Sequence, residues 1–187
     1  MRDSFFSGRV VLYSGAGLVA IAIAFVWFFY LPHRAGVRPV QQRASMPALT
    51  LNLIDGGVWR LSDHQGQVVA INYWASWCSP CWQETPMLAK LSRERQSDGF
   101  EVLGVSVDER SSNEIPSEVR HFVETLHVPY PIAITAPMSQ LAYGMDGLPT
   151  TILVDRQGRV AQTYVGALDE TRFRKDVQVL LKESGRL

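Results

Sequence analysis

The sequence predicts an α/β domain carried behind one membrane-spanning helix. Three observations lead there. Apolar patterning alternates between strand and helix periods along most of the chain, in the order β-β-β-α-β-α-β-α-β-β-α. Strands alternating with helices imply a mainly parallel sheet covered on both faces. Near the N-terminus, 22 residues from Val10 to Leu31 carry no charged side chain. The only two cysteines, Cys78 and Cys81, stand where a predicted buried strand hands over to a helix.

Residues 1–9 read as an N-terminal tail. As a helix, residues 10–31 span roughly 33 Å, enough for the hydrocarbon core of a bilayer. Trp27 and Tyr30 lie near its C-terminal end, where interfacial aromatics are favoured, and Pro32 stops the helix. A cleavable signal peptide has an apolar region of only about 7–15 residues followed by a small-residue cleavage site. No such site follows Leu31, so a retained anchor is expected. The flanking charges do not decide its orientation: Arg2 and Arg9 stand on one side, Arg34, Arg38 and Arg43 on the other.

Residues 32–45 lack apolar periodicity and read as a linker, with a domain expected from 46 to 187. Leu49 to Leu53 alternates apolar and polar, Asp55-Gly56-Gly57 is a turn, and Val58 to Leu61 returns, which predicts a hairpin. Val68 to Trp74 is a continuous apolar run, as in a strand buried on both faces. Pro80 opens a helix to about Gln96, with Met87, Leu88 and Leu91 at helical spacing, and Gly99 closes it. Further strands are expected at 101–107, 130–135, 150–154 and 159–165, the last two joined as an antiparallel hairpin by the turn at Gln157-Gly158. Helices are expected at 116–127, at 139–143 and at 171–182.

Composition supports one packed core: the chain has 187 residues, 47% hydrophobic and 19% charged. Its formal net charge is zero and no basic stripe stands out, so a nucleic-acid partner is not implied. Two cysteines separated by two residues close so short a loop that their bond adds little stability. The pair is therefore better explained by chemistry. A helix N-terminus offers free N–H groups and a positive dipole end, which favour a thiolate at Cys78. Cys78 would attack a partner's disulfide, and Cys81 would resolve the mixed disulfide. Half a zinc site lacks two further ligands, since His33, His64, His121 and His127 show no ligand spacing, and no metal is expected. Inert buried cysteines are a second alternative. A peroxidatic cysteine of the peroxiredoxin type is a third, but Ala75 stands where that pattern has threonine.

Asn72 to Cys81 (NYWASWCSPC), with Glu84 and Pro86 after it, resembles the TlpA/ResA-type thioredoxin-like proteins, which are related to the CcmG/DsbE type of cytochrome c maturation. So does Gly147 to Asp155 (GLPTTILVD), with Gly158 after it. The resemblance implies a thioredoxin fold with an N-terminal β-hairpin extension and a helix–strand insertion between Val107 and Gly147. It implies a membrane-tethered, extracytoplasmic thiol-disulfide oxidoreductase with no cofactor, a membrane electron donor and a protein disulfide as substrate, apocytochrome c cysteines among the candidates. By position it makes Pro149 a cis-proline shaping the partner groove, and Leu148 a backbone edge for the partner chain. Glu84 becomes a carboxylate near the cysteines, against the alternative of a solvated glutamate. Asn72 stands where thioredoxin has a buried aspartate. Trp77 is expected to cover the disulfide, and Trp82 to pack on neighbouring chain rather than serve docking. A dithiol oxidant and a non-catalytic tethered module remain as competing functions.

Overall fold

A computed structural model describes residues 36–108, 114–135 and 147–183. The expected anchor at 10–31 and the short helix expected at 139–143 lie outside the described residues. Among the described residues, no helix is long and apolar enough to cross a membrane.

The chain first forms an antiparallel hairpin, β1 (Thr50–Asn52) and β2 (Val58–Arg60), with Leu51 opposite Trp59. Gly56 takes φ +92° in its turn, a conformation that favours glycine. A five-stranded sheet follows: β3 (Val68–Trp74), β4 (Phe100–Ser106), β5 (Ile132–Ile134), β6 (Thr150–Val154) and β7 (Val160–Val165), in the order β5-β4-β3-β6-β7. The β3–β4 and β4–β5 ladders are parallel, while β3–β6 and β6–β7 are antiparallel. The sheet is thus mixed and not mainly parallel. The β6–β7 hairpin closes through a tight turn at Gly158, where no crossover helix separates the strands.

Three helices are described: α1 (Ser79–Arg95), α2 (Ser117–Thr125) and α3 (Glu170–Lys182). The steps β3→β4→β5 move in one direction across the sheet, so right-handed crossovers put α1 and α2 on the same face. Cross-strand register agrees. Asn72, Thr151 and Tyr164 lie in one row across β3, β6 and β7. Asn72 bonds Glu84 of α1, and Tyr164 meets Phe173 and Asp176 of α3. Two residues beyond Asn72, Trp74 stacks on Phe122 of α2 at 3.9 Å. All three described helices therefore share one face. Gly104 makes room for that packing: a Cβ there would come within 3.1 Å of the Trp74 indole nitrogen and 2.5 Å of Ile132 Cδ1.

Every residue of β3 is buried, as its unbroken apolar run predicts. In α1 the buried stripe is Cys81, Glu84, Thr85, Leu88 and Leu91, the i, i+3, i+4 spacing of one helical face. The helix runs into a 3-10 turn, Gln96–Asp98, and Gly99 ends it at φ +84°. β5 is shorter than the strand expected over 130–135, and α2 ends before His127, which takes φ +48°.

The compact unit begins at Gly36, ahead of the domain boundary expected at Met46. The segment is held by polar contacts, which leave no apolar period to read. The Arg38 N–H donates to the Ala161 carbonyl at 2.9 Å. The buried Arg43 guanidinium pairs with Asp155 at 3.0 Å and with both oxygens of Glu183 at 2.7 Å.

Candidate functional site

The β3 strand ends at Trp74, and the chain turns through Ala75 to Trp77 before α1 begins. The Cys78 N–H donates to the Ala75 carbonyl at 3.1 Å, closing that turn. Cys78 caps α1 in an extended conformation, and its Sγ accepts the Cys81 N–H at 3.3 Å. Pro80 occupies the first helical turn, where a missing N–H leaves no bond unmade. The two cysteines form a disulfide with Cα atoms 5.3 Å apart. Cys81 is fully buried, and Cys78 is 5% exposed. Of the two cysteines, the one at the helix start is thus the more exposed.

One turn further along the same buried stripe is Glu84. It is not a solvated glutamate: only 5% of it is exposed. Asn72 Nδ2 donates to its Oε1 at 2.8 Å, and the Leu168 N–H donates to its Oε2 at 3.0 Å. Burial pushes the carboxyl up to about 7, and these two neutral donors only partly offset it. A group with that value changes protonation around neutral pH. Helical spacing puts it on the same face as Cys81, which precedes it by three residues. Asn72 also donates to Thr151 Oγ1 at 2.9 Å, which ties Glu84 through β3 to β6.

β6 starts at Thr150, whose partner in the ladder is Tyr73. This register places Leu148 and Pro149 at the end of the sheet from which the Cys78 turn emerges. The Leu148–Pro149 peptide is cis, as the resemblance implied. Pro149 is buried and Leu148 half-buried, and the Pro149 carbonyl accepts the Gly166 N–H at 2.8 Å.

Trp77, expected to cover the disulfide, is 70% exposed. It lines an open groove of about 430 Å³ with Ser76, Trp82, Ser117, Glu118 and His121. Trp82 packs edge-on against Phe122 at 4.6 Å, and its indole N–H donates to the Ser76 carbonyl at 2.8 Å. Packing is therefore what holds it, as expected, although one edge also faces the groove.

Sequence reasoning missed Asp108. It lies just beyond β4, 6% exposed, and accepts from the Ser76 N–H at 3.0 and 3.2 Å, the Ser76 hydroxyl at 2.6 Å and the Ser106 hydroxyl at 2.7 Å. The only available signal was an acid at the carboxyl end of a strand beside the cysteine-bearing one. Among the described residues, no cluster of His, Cys, Asp and Glu is arranged to hold a metal ion.

Comparison with known proteins matches these features. Residues 41–181 match the Redoxin family. The chain is 32% identical over 136 residues to the thiol-disulfide oxidoreductase ResA of Geobacillus thermodenitrificans, covering 72% of this chain and 75% of that one. It is 29% identical over 164 residues to the protein of the same name from Bacillus subtilis, covering 87% and 88%. Among solved structures, the exposed lipoprotein thioredoxin of Streptococcus pneumoniae superposes with a TM-score of 0.60 at 26% identity, covering 71% of this chain and 99% of that one. A secreted thiol-disulfide isomerase from Corynebacterium glutamicum, at 24% identity, shares the fold with a TM-score of 0.69 over 81% and 95%.

Proposed function

The chain belongs to the Redoxin family as a thioredoxin-fold thiol-disulfide oxidoreductase related to ResA, and we propose that it is a membrane-tethered, extracytoplasmic reductant of protein disulfides. The observation that carries the reductant reading is the buried Glu84 behind the pair, which among the described residues is held by an amide and a backbone N–H.

In the reduced chain, the Cys78 thiolate attacks one sulfur of a partner's disulfide. The partner's other sulfur leaves as a thiolate and takes a proton from water. Ionised Glu84 accepts the Cys81 proton, and the Cys81 thiolate attacks Cys78 Sγ. The Cys78–Cys81 disulfide forms, the partner's second thiolate departs, and two electrons have moved to the partner. Glu84 then releases its proton, which its value of about 7 permits near neutral pH. Two electrons and two protons from a membrane donor restore the dithiol. Pro149 and Leu148 shape the edge on which the partner chain lies, and Trp77 offers it an exposed apolar face.

Neither residue between the cysteines carries charge, and an ionised Glu84 opposes a thiolate. Both favour a potential toward thioredoxin, near −270 mV, and away from strong oxidants near −120 mV. Apocytochrome c cysteines are a fitting substrate class, in keeping with the CcmG/DsbE-type resemblance. The extracytoplasmic placement is supported by the 22-residue apolar stretch joined to a redox pair, and by the likeness to a protein named as an exposed lipoprotein.

Redox equilibration of the full chain against dithiothreitol tests the direction of electron flow. A potential near that of the strong oxidants, with a strongly acidic Cys78, makes the chain an oxidant instead. Cys81→Ser is expected to accumulate mixed disulfides through Cys78, while Cys78→Ser abolishes reduction of insulin. Adducts on Cys81 in a Cys78→Ser chain would reverse the assignment. Protease accessibility in intact spheroplasts tests placement: a domain protected until lysis contradicts it.

A further inference from the structure

We propose that Asp108 is a positioning residue for disulfide exchange, holding the Ala75–Cys78 turn through Ser76 and so fixing where the Cys78 sulfur is presented.

Ser76 is anchored at both ends. Its N–H and hydroxyl donate to Asp108, beyond β4, and its carbonyl accepts from Trp82, on α1. The turn itself is closed by the Cys78 N–H on the Ala75 carbonyl. Ser76 therefore joins three elements: the end of β3, the end of β4 and the first turn of α1. Cys78 is the cap residue two positions later, so a shift at Ser76 moves the helix start that carries the reactive sulfur.

The bonding requires a carboxylate. Ser76 presents two donors and Ser106 a third, and all converge on the two oxygens of Asp108. An amide in that place offers one acceptor oxygen and turns an N–H toward donors. Among the described residues, no guanidinium or ammonium pairs with Asp108, in contrast to Asp155, which meets two arginines. Among the described residues Asp108 is held by neutral donors alone, so these contacts bring the fold no ion-pair attraction. Its negative charge near the turn also disfavours a Cys78 thiolate, and so holds the pair toward the reducing side.

This role presumes that Cys78 is the attacking thiol, so wild type is measured alongside. A wild-type chain that does not react overturns the oxidoreductase reading and this role with it, whereas a reactive wild type with unaffected variants overturns this role alone. The experiment compares the reduced full chain, wild type and variants, in its rate with 2-hydroxyethyl disulfide, its potential against dithiothreitol and its melting transition. Asp108→Asn is expected to slow the reaction about tenfold or more, since a displacement on the order of 1 Å at a reacting centre costs roughly a hundredfold. Its potential is expected to become less negative. Val177→Ala, a core truncation in α3 away from the turn, is expected to lower the melting point and leave rate and potential within about twofold. If Asp108→Asn melts cooperatively yet keeps both within about twofold, the proposal fails. It also fails if Val177→Ala slows the reaction as much. Should Asp108→Asn not fold, Ser76→Ala decides: it removes only the 2.6 Å hydroxyl bond, and an unchanged rate in that variant overturns the proposal.

Discussion

Glu84 and Asp155 are both buried carboxylates, 5% and 2% exposed, and the molecule treats them in opposite ways. Asp155 follows β6 at the end of the sheet away from the cysteines. Burial alone would raise its pKa, but the Arg159 N–H, the guanidinium groups of Arg43 and Arg159 and the Gln157 N–H together hold it below its ordinary value. Glu84, beside the cysteines, meets an amide and a backbone N–H among the described residues and rises to about 7. At one end of the sheet, charge is compensated and fixes structure. At the other, a carboxyl is left uncompensated where the exchange reaction needs a proton to come and go. Breaking each end should therefore disturb a different property.

The largest effect on stability is expected from Asp155→Ala. It leaves Arg43 and Arg159 facing one another without the shared carboxylate, and losing one partner of a buried pair costs about 3–5 kcal/mol. Denaturant unfolding measures this, and thiol exchange in the folded fraction is expected to stay at the wild-type rate. The sign of the pH dependence follows from the lowered pKa. The stabilisation is present above the ordinary carboxylate value and is lost as pH falls through the folded one. A chain starting at Met46 lacks Arg43 and is expected to lose stability in the same direction, whereas one starting at Gly36 keeps it. If exchange falls with stability in Asp155→Ala, the two ends are not separate.

Glu84→Gln is next. Because the folded carboxyl is raised, its contribution is fully present below about 4.5 and is lost as pH rises through about 7. That range corresponds to an effect on the order of 3 kcal/mol. Wild type is thus expected to lose stability across this window, and Glu84→Gln to have a flatter profile and to be the more stable of the two at pH 8. Exchange is expected to slow in the same variant if Glu84 takes the Cys81 proton as proposed, and a cysteine pKa is expected to fall. Parallel pH profiles for the two proteins would show that Glu84 is not held in its raised state.

How much of this contrast is legible in the sequence depends on what kind of contact carries it. The cysteine pair and the buried strand before it are local patterns, and they stand where the residues placed them, whereas the cis bond at Pro149 came from the family resemblance, since the residues alone favour trans. Glu84 was half legible: its spacing from Cys81, Leu88 and Leu91 puts it on the buried stripe, yet charge alone reads as exposure. Arg43 lay in a stretch without apolar period and read as linker, because one guanidinium reaching Asp155 and Glu183 leaves no periodic trace. Asp108 was invisible for the same reason, since its partner Ser76 is 32 residues away. The closing β6–β7 hairpin was legible in its Gln157-Gly158 turn, but the mixed sheet was misread because alternation of strands and helices does not tell whether β6 runs parallel or antiparallel to β3.

The smallest effect sharpens the comparison within one end. Arg43 pairs with two carboxylates, and only their exposure separates them: the Asp155 side chain is 1% exposed and that of Glu183 32%. Both contacts are short, and the Glu183 pair is bidentate at 2.7 Å, so distance alone would rank it first. Solvent argues the other way. A carboxylate with a third of its surface in water recovers hydration when its partner is lost, and its attraction is screened by salt. Arg43 also keeps Asp155 when Glu183 is removed, so no buried charge is left alone. Glu183→Gln is therefore expected to cost only about 1 kcal/mol. That cost is expected to be smaller at high salt than at low salt, whereas the cost of Asp155→Ala changes little with salt. Denaturant midpoints of the two variants at both ionic strengths measure this. A loss in Glu183→Gln as large as in Asp155→Ala would mean that geometry, and not burial, decides how strongly this end of the sheet is held.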